Sequence, residues 1–253
     1  MIRLVSLLLA MVIASPTLAE MSPRIAIIID DLGYNRELGL RAIALPAELT
    51  VAILPHAPRA RAMAEAARES GKEIIVHLPL EAMNPRGPFE PNRVTLEMTE
   101  SEVHEVLHQA LEAVPHAVGI NNHRGSLVTR QQSHMQWLMD RIHSTGHLFF
   151  VDSFTTHHSV AMDVAEQVGV PAVRRDVFLD HVRDPAHMRY QLERLKQRAR
   201  SEGQAVAIGH PYPETMAMLE EVLPELLAEG FELVPVSKLV QPDTPARNLT
   251  TGR

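Results

Sequence analysis

Six short apolar runs each end in residues that hold metal ions or move protons. Residues 25–29 run into Asp30-Asp31, and 74–76 into His77, with Glu81 four positions on. The run 117–120 leads to Asn121-Asn122-His123, 148–151 to Asp152-Ser153, 177–179 to Asp180-His181, and 205–208 to Gly209-His210-Pro211. Carboxylates and imidazoles ligate divalent metals, and the same groups serve as general bases and acids. Any one of them has a structural explanation, since a lone strand-end His is satisfied in place and a lone Asp caps a helix. The repetition of the pattern at six run ends points to a shared site.

Such a site needs elements that bring distant residues together. The runs 25–29, 49–54, 74–76, 117–120, 148–151, 177–179, 205–208 and 231–236 are strand candidates. Several are continuously apolar, as parallel strands buried on both faces are. Helical patterns lie between most of them, at 59–70, 102–114, 132–144, 159–168, 185–202 and 214–229. Strands alternating with helices predict an α/β fold, a barrel or a doubly wound sheet. In both, the C-terminal strand ends converge on one face, where active sites are built. The longest irregular stretch, 81–98, carries Pro85, Gly87, Pro88 and Pro91 and reads as a loop over one mouth of the barrel.

The 253 residues suit a single barrel domain over 20–240, framed by a signal peptide at 1–19 and a polar tail at 241–253. Arg3, an apolar stretch over 4–13 and the small-residue end Ser15-Pro16-Thr17-Leu18-Ala19 mark the signal, with cleavage after Ala19. The stretch is shorter than the roughly 20 residues of an ordinary span, so no stable membrane span is expected after cleavage. The expected location is periplasmic or otherwise exported. A net charge of −7 argues against a nucleic-acid partner. The chain has no cysteine, so a metal site must use His, Asp and Glu.

One motif competes for the metal. His104-Glu105-Val106-Leu107-His108 matches the H-E-x-x-H pattern of zinc proteases. It lies in a helix opened by a capping box of Thr99 and Glu102. At about 100° per residue, His104 flanks the apolar stripe, His108 lies farther toward solvent, and Glu105 points away from the core. Leu111 and Val114 stand where the extended motif wants Gly and His. The pair reads as a solvated helix face.

Taken together, Ile-Ile-Asp30-Asp31-Leu-Gly33, His77-Leu-Pro-Leu-Glu81, Gly119-Ile-Asn121-Asn122-His123-Arg-Gly125-Ser126, Asp152-Ser153-Phe-Thr155, Phe178-Leu-Asp180 and Gly209-His210-Pro211-Tyr-Pro213-Glu-Thr215 resemble the divergent polysaccharide deacetylase family. The match runs from about 24 to 240, and its specificity lies in the order of six motifs. The resemblance implies a distorted (β/α)7-type barrel of the polysaccharide deacetylase kind and a divalent metal, expected to be Zn²⁺. Asp31, His77 and His123 are the implied ligands. Asp30 is the implied general base, His210 the general acid, and Asp152 a supporting carboxylate. The broader superfamily has a second His where this chain has Glu81, which makes Glu81 a reserve ligand, a partner of a ligand imidazole, or a substrate contact. Asn122 and Ser126 are candidate substrate contacts; near Gly125 they also suit a turn. Three N/O ligands leave Zn²⁺ a position for water, which suits amide hydrolysis.

The leading expectation is metal-dependent deacetylation of an envelope polysaccharide or other carbohydrate. Two alternatives stand beside it. One is a metal-containing binding or scaffold protein with weak catalysis, suggested by Glu81 and by an aromatic content of 4%. The other is a different metal hydrolase such as a phosphoesterase, for which Arg124, Arg174 and Arg175 would hold phosphate.

Overall fold

The computed structural model describes residues 22–84 and 90–240. The signal segment 1–19, the tail 241–253 and Pro85, Gly87 and Pro88 of the long loop lie outside the described residues. In chain order the elements are β1 (Arg24–Leu32), α1 (Arg36–Ile43), β2 (Thr50–Ile53), α2 (Ala60–Glu69), β3 (Glu73–Leu80), α3 (Glu100–Ala113), β4 (Gly119–Arg124), α4 (Gln132–Thr145), β5 (Phe149–Asp152), α5 (Ala161–Val168), β6 (Ala172–Arg174), β7 (Val177–Phe178), α6 (Pro185–Glu202), β8 (Gln204–Gly209), α7 (Pro213–Ala228) and β9 (Glu232–Leu233).

All ladders are parallel, in the order β6-β5-β4-β3-β2-β1-β8-β7. That sequence around a curled sheet is a barrel with one seam, open between β6 and β7 among the described residues. The expected barrel class is what the chain adopts. Two elements lie outside the sequence expectations. These are helix α1, of eight residues, and β6, whose three residues at a sheet edge are too few for a clear periodic pattern. The run 231–236 is not an eighth barrel strand. Only Glu232–Leu233 pairs, with the first two residues of β1, at the end of the barrel away from the strand C-termini.

Alternation along the strands sorts the core into two parts. Ala26, Ile28, Ala52, Ile75, Val151, Val206 and Ile208 fill the barrel interior, and Val236 and Leu239 close one end. Their neighbours Ile25, Ile27, Ile29, Val51, Ile74, Val76, Ile120, Phe150 and Ala207 face the helices. Carried two residues further, the inward parity selects Asp30, His77, Ser153 and His210, and on β4 Asn121 and His123. The outward parity selects Asn122 and Asp152. Period two thus separates groups facing the barrel mouth from groups buried under helices.

Asp31 breaks that parity, and the backbone explains how. The β1–β2 register shifts between Ile29 and Leu32, and Asp31 has φ 60°. A bulge of this kind re-aims a side chain, so both carboxylates reach the mouth. Gly33 makes the turn possible. Its φ is 120°, and a Cβ there would lie 2.6 Å from Ala57 Cβ. Gly33→Ala is therefore expected to destabilise the fold by about 2–4 kcal/mol, combining backbone strain with overpacking. Urea unfolding measures it, and a change below about 0.5 kcal/mol, the range of an inert surface substitution, contradicts it.

Candidate metal and proton-transfer site

At the mouth, Asp31 Oδ1 lies 3.2 Å from both His77 Nε2 and His123 Nδ1, and these two nitrogens are 3.0 Å apart. Among the described residues these three form the metal-ligand cluster, on strands β1, β3 and β4. The far side of each imidazole is already committed. Asn121 Nδ2 donates to Asp30 Oδ1 at 2.8 Å, so Asn121 Oδ1 is left to accept from His77 Nδ1, also at 2.8 Å. His123 Nε2 donates to Glu90 Oε1 at 2.7 Å. With both outer nitrogens donating, the inner lone pairs of His77 and His123 face each other and Asp31 Oδ1. That buried oxygen has no partner of hydrogen-bond geometry.

A cation at the centre relieves this arrangement. Ligand atoms about 2.1 Å from a tetrahedral metal lie about 3.4 Å apart, close to the separations seen. Two imidazoles and a carboxylate are an ordinary donor set for Zn²⁺ and related ions. Without metal, a proton serves. Burial opposes charge on His123, but Asp31 and Glu90 hold its pKa up at about 9. Burial likewise pushes the Asp31 carboxyl up, yet His123 and His77 hold it well below the usual carboxylate range.

Two candidate proton-transfer groups, Asp30 and His210, flank the cluster. Asp30 is 2% exposed, with Oδ2 3.5 Å from His77 Nε2. Burial raises its pKa; His77, His210 and the Asn121 hydrogen bond only partly offset this. A raised carboxylate is a stronger base. His210 presents Nε2 3.7 Å from Asp31 Oδ2. Its Nδ1 donates to Asp180 Oδ1 at 2.9 Å, while Asp180 Oδ2 accepts from the His210 amide at 2.6 Å and from Thr215 Oγ1 at 2.8 Å. Asp180 therefore sets the tautomer and the ring direction. Burial lowers the His210 pKa, but Asp180 and the charges of Asp31 and Asp30 raise it on balance. Phe178 stacks on the His210 ring at 5.3 Å and Tyr212 packs beside it at 5.4 Å.

The remaining candidates stand apart from the cluster. Glu81 accepts from the Leu96 amide at 3.0 Å, and its backbone pairs with Val94, which ties the long loop back beside β3. Asn122 is buried; its Nδ2 donates to Arg124 O and its Oδ1 accepts from the Ser153 amide. Asp152 is buried too, accepting from the Phe154 amide and Ser159 Oγ. Ser126 Oγ accepts from the Met83 amide at 3.1 Å. These four bond to backbone and side-chain groups of the segments beside the cluster. His104 bonds Trp137 O of the neighbouring helix α4, and His108 is half exposed, both outside the cluster.

Three residues to which the sequence reading assigns no role matter here: Asn121 and Asp180, which stand at run ends, and Glu90, which does not. Inward parity selects Asn121. Asp180 stands at a run end and shares the inward parity of Phe178. Glu90 has no local signal, because the irregular loop carries it. Glu90 also lies 3.4 Å from Arg124 Nε. Carboxylates that orient a ligand imidazole commonly contribute ten- to hundredfold in metal affinity. Glu90→Gln is expected to weaken Zn²⁺ binding by about that factor. Competition against a chromogenic chelator reads it, and unchanged affinity refutes the assignment.

A curled, wholly parallel sheet flanked by helices, with Asp and His side chains gathered at its C-terminal ends, is the α/β half-barrel of the polysaccharide deacetylases. The divergent polysaccharide deacetylase family matches residues 27–240, and the chain belongs to that family. The uncharacterized protein YibQ of Escherichia coli K12 is 37% identical over 241 residues, covering 93% of this chain and 74% of YibQ. The crystal structure of the uncharacterized protein ATU2773 from Agrobacterium tumefaciens C58 superposes with a TM-score of 0.83 at 26% identity, covering 88% of this chain and 91% of that one. A mutant of BA3943, described as a CE4 family pseudoenzyme with restored enzymatic activity, has a TM-score of 0.54 at 12% identity, over 87% of this chain and 68% of that one, and shares the fold alone.

Proposed function

We propose that this protein is an exported, metal-dependent hydrolase that removes acetyl groups from an envelope polysaccharide. The observation that carries the reading is the trio of Asp31 Oδ1, His77 Nε2 and His123 Nδ1 at mutual distances of 3.0–3.2 Å, with Asp30 and His210 beside it. Family membership supports the reaction class.

A divalent metal held by Asp31, His77 and His123, Zn²⁺ in this proposal, supplies Lewis-acid activation of water and of the acyl carbonyl. Asp30 takes the proton of the attacking water. Its Oδ1 is occupied by Asn121, which leaves Oδ2 beside the cluster for that proton. His210, protonated and held through Asp180, gives a proton to the leaving amine or alkoxide. The acid and the base sit on different strands, β1 and the end of β8, with the cluster between them. Attack and departure thus occur on separate sides of the acyl carbon. Low aromatic content is less of an obstacle than the bare percentage suggests, because Tyr34, Phe154, Phe178 and Tyr212 all stand at C-terminal strand ends.

The test is acetate release by the zinc-loaded protein from peptidoglycan and chitooligosaccharides, measured beside Asp30→Asn. Release by the wild type alone supports the reading. No release above the variant across the panel refutes it.

A further inference from the structure

The seam between β6 and β7 holds a second concentration of chemistry. The turn Arg175-Asp176 spans the gap, with the Asp176 amide donating to Val206 O and Asp176 Oδ2 accepting from the Val206 amide. Against α6 lies a cavity of about 470 Å³ lined by Phe154, Arg174, Arg175, Asp176, Arg194 and Arg198, among others. Four arginines thus line one cavity of a chain whose net charge is −7. The carboxylate in the lining, Asp176, pairs with Arg198 at 3.3 Å and leaves three cations in excess.

Two of those cations, Arg174 and Arg175, are held in place without a direct ion pair, although Asp152, Asp30 and Asp176 attract Arg175 from farther away. Arg175 is largely buried, and its Nε and Nη2 donate to the carbonyls of Ser153 and Phe154 at 2.7 and 3.1 Å. Among the described residues, neither Arg174 nor Arg175 has a carboxylate within ion-pair distance. Their guanidinium groups lie over aromatic rings, Arg174 over Phe154 at 4.4 Å and Arg175 over Phe178 at 4.8 Å. A guanidinium stacked on a ring keeps in-plane N–H donors for a ligand and fits planar or tetrahedral oxyanions. Phe154 holds its position with φ 50°, an uncommon conformation for an aromatic residue. A partly buried cation whose hydrogen-bond partners are carbonyls is stabilised further when an anion joins it.

We propose that the seam cavity binds an oxyanion, a phosphate or carboxylate group carried on a glycan strand. The oxyanion claim stands on the four arginines, whereas the glycan rests on the proposed function. Phe178 links the two sites, since it lies under Arg175 and also stacks on His210. A strand anchored by its negative group at the seam would lie alongside the acid of the metal site.

Calorimetric titration at low salt tests this with three probes: N-acetylglucosamine 6-phosphate, glucuronate and neutral N-acetylglucosamine. Saturable binding of a charged probe that exceeds the neutral one at least tenfold is expected, and the two charged arms separate phosphate from carboxylate. Arg174→Gln, at an exposed position, and the pair Arg174→Gln/Arg198→Gln are expected to weaken that binding at least tenfold. Asp31→Asn is expected to leave it unchanged. No saturable binding of either charged probe overturns the proposal, as does binding lost in Asp31→Asn but kept in the arginine variants, which places the anion on the metal cluster. Acetate release does not enter the readout, so the two claims fail separately.

Discussion

Asp31→Asn is expected to weaken Zn²⁺ binding more than about a hundredfold, because loss of a mere partner of a ligand already costs up to that much. Asp31 is the one anion in the trio; its Oδ1 is 3.2 Å from both imidazole nitrogens. An amide in its place keeps the shape and loses the charge that offsets a divalent ion. The readout does not need activity. Zn²⁺ at a hundredfold excess over its Kd stabilises the wild type by about 2.7 kcal/mol through mass action. The variant is expected to gain almost none of this in thermal unfolding, and elemental analysis is expected to find it nearly free of metal. A variant that retains a full equivalent of tightly bound zinc contradicts the ligand assignment.

His210→Ala is expected to lower kcat for acetate release by about 10²- to 10⁴-fold, the usual contribution of a positioned acid, while zinc content stays near one equivalent. The separation follows from geometry. His210 Nε2 is 3.7 Å from Asp31 Oδ2 and outside the close trio. Asp180→Asn is the sharper companion, because Asp180 reaches the cluster through His210. It fixes Nδ1 as the donor and supports the protonated ring. Its kcat is expected to fall by a smaller factor than that of His210→Ala, with KM and metal content retained. Loss of zinc in His210→Ala would instead make His210 a ligand.

Parity explains most of what was legible in the chain. Residues Asp30, His77, His123 and His210 continue the inward alternation of Ile28, Ile75, Asn121 and Ile208, so apolar runs and their ends suffice to place them. Asp152 and Asn122 carry the same kind of side chain but the opposite parity, and they lie under helices bonded to backbone and to Ser159. The chemistry of a side chain does not distinguish these groups, whereas its phase along the strand does.

The sequence by itself determined the α/β alternation, the run of acids and imidazoles at strand ends, and the family. All of these depend on short-range patterns: apolar periodicity, residue order and motif spacing. Only the tertiary structure decided which of those groups touch. Asp31 enters the trio because a bulge turns it inward at φ 60°. Glu90 supports His123 because an irregular loop returns over the mouth through the Val94 pairing, while Glu81 is spent holding that loop. The four arginines of the seam meet because the barrel fails to close between β6 and β7. A bulge, a loop return and an open seam depend on contacts distant in sequence, which no local pattern encodes.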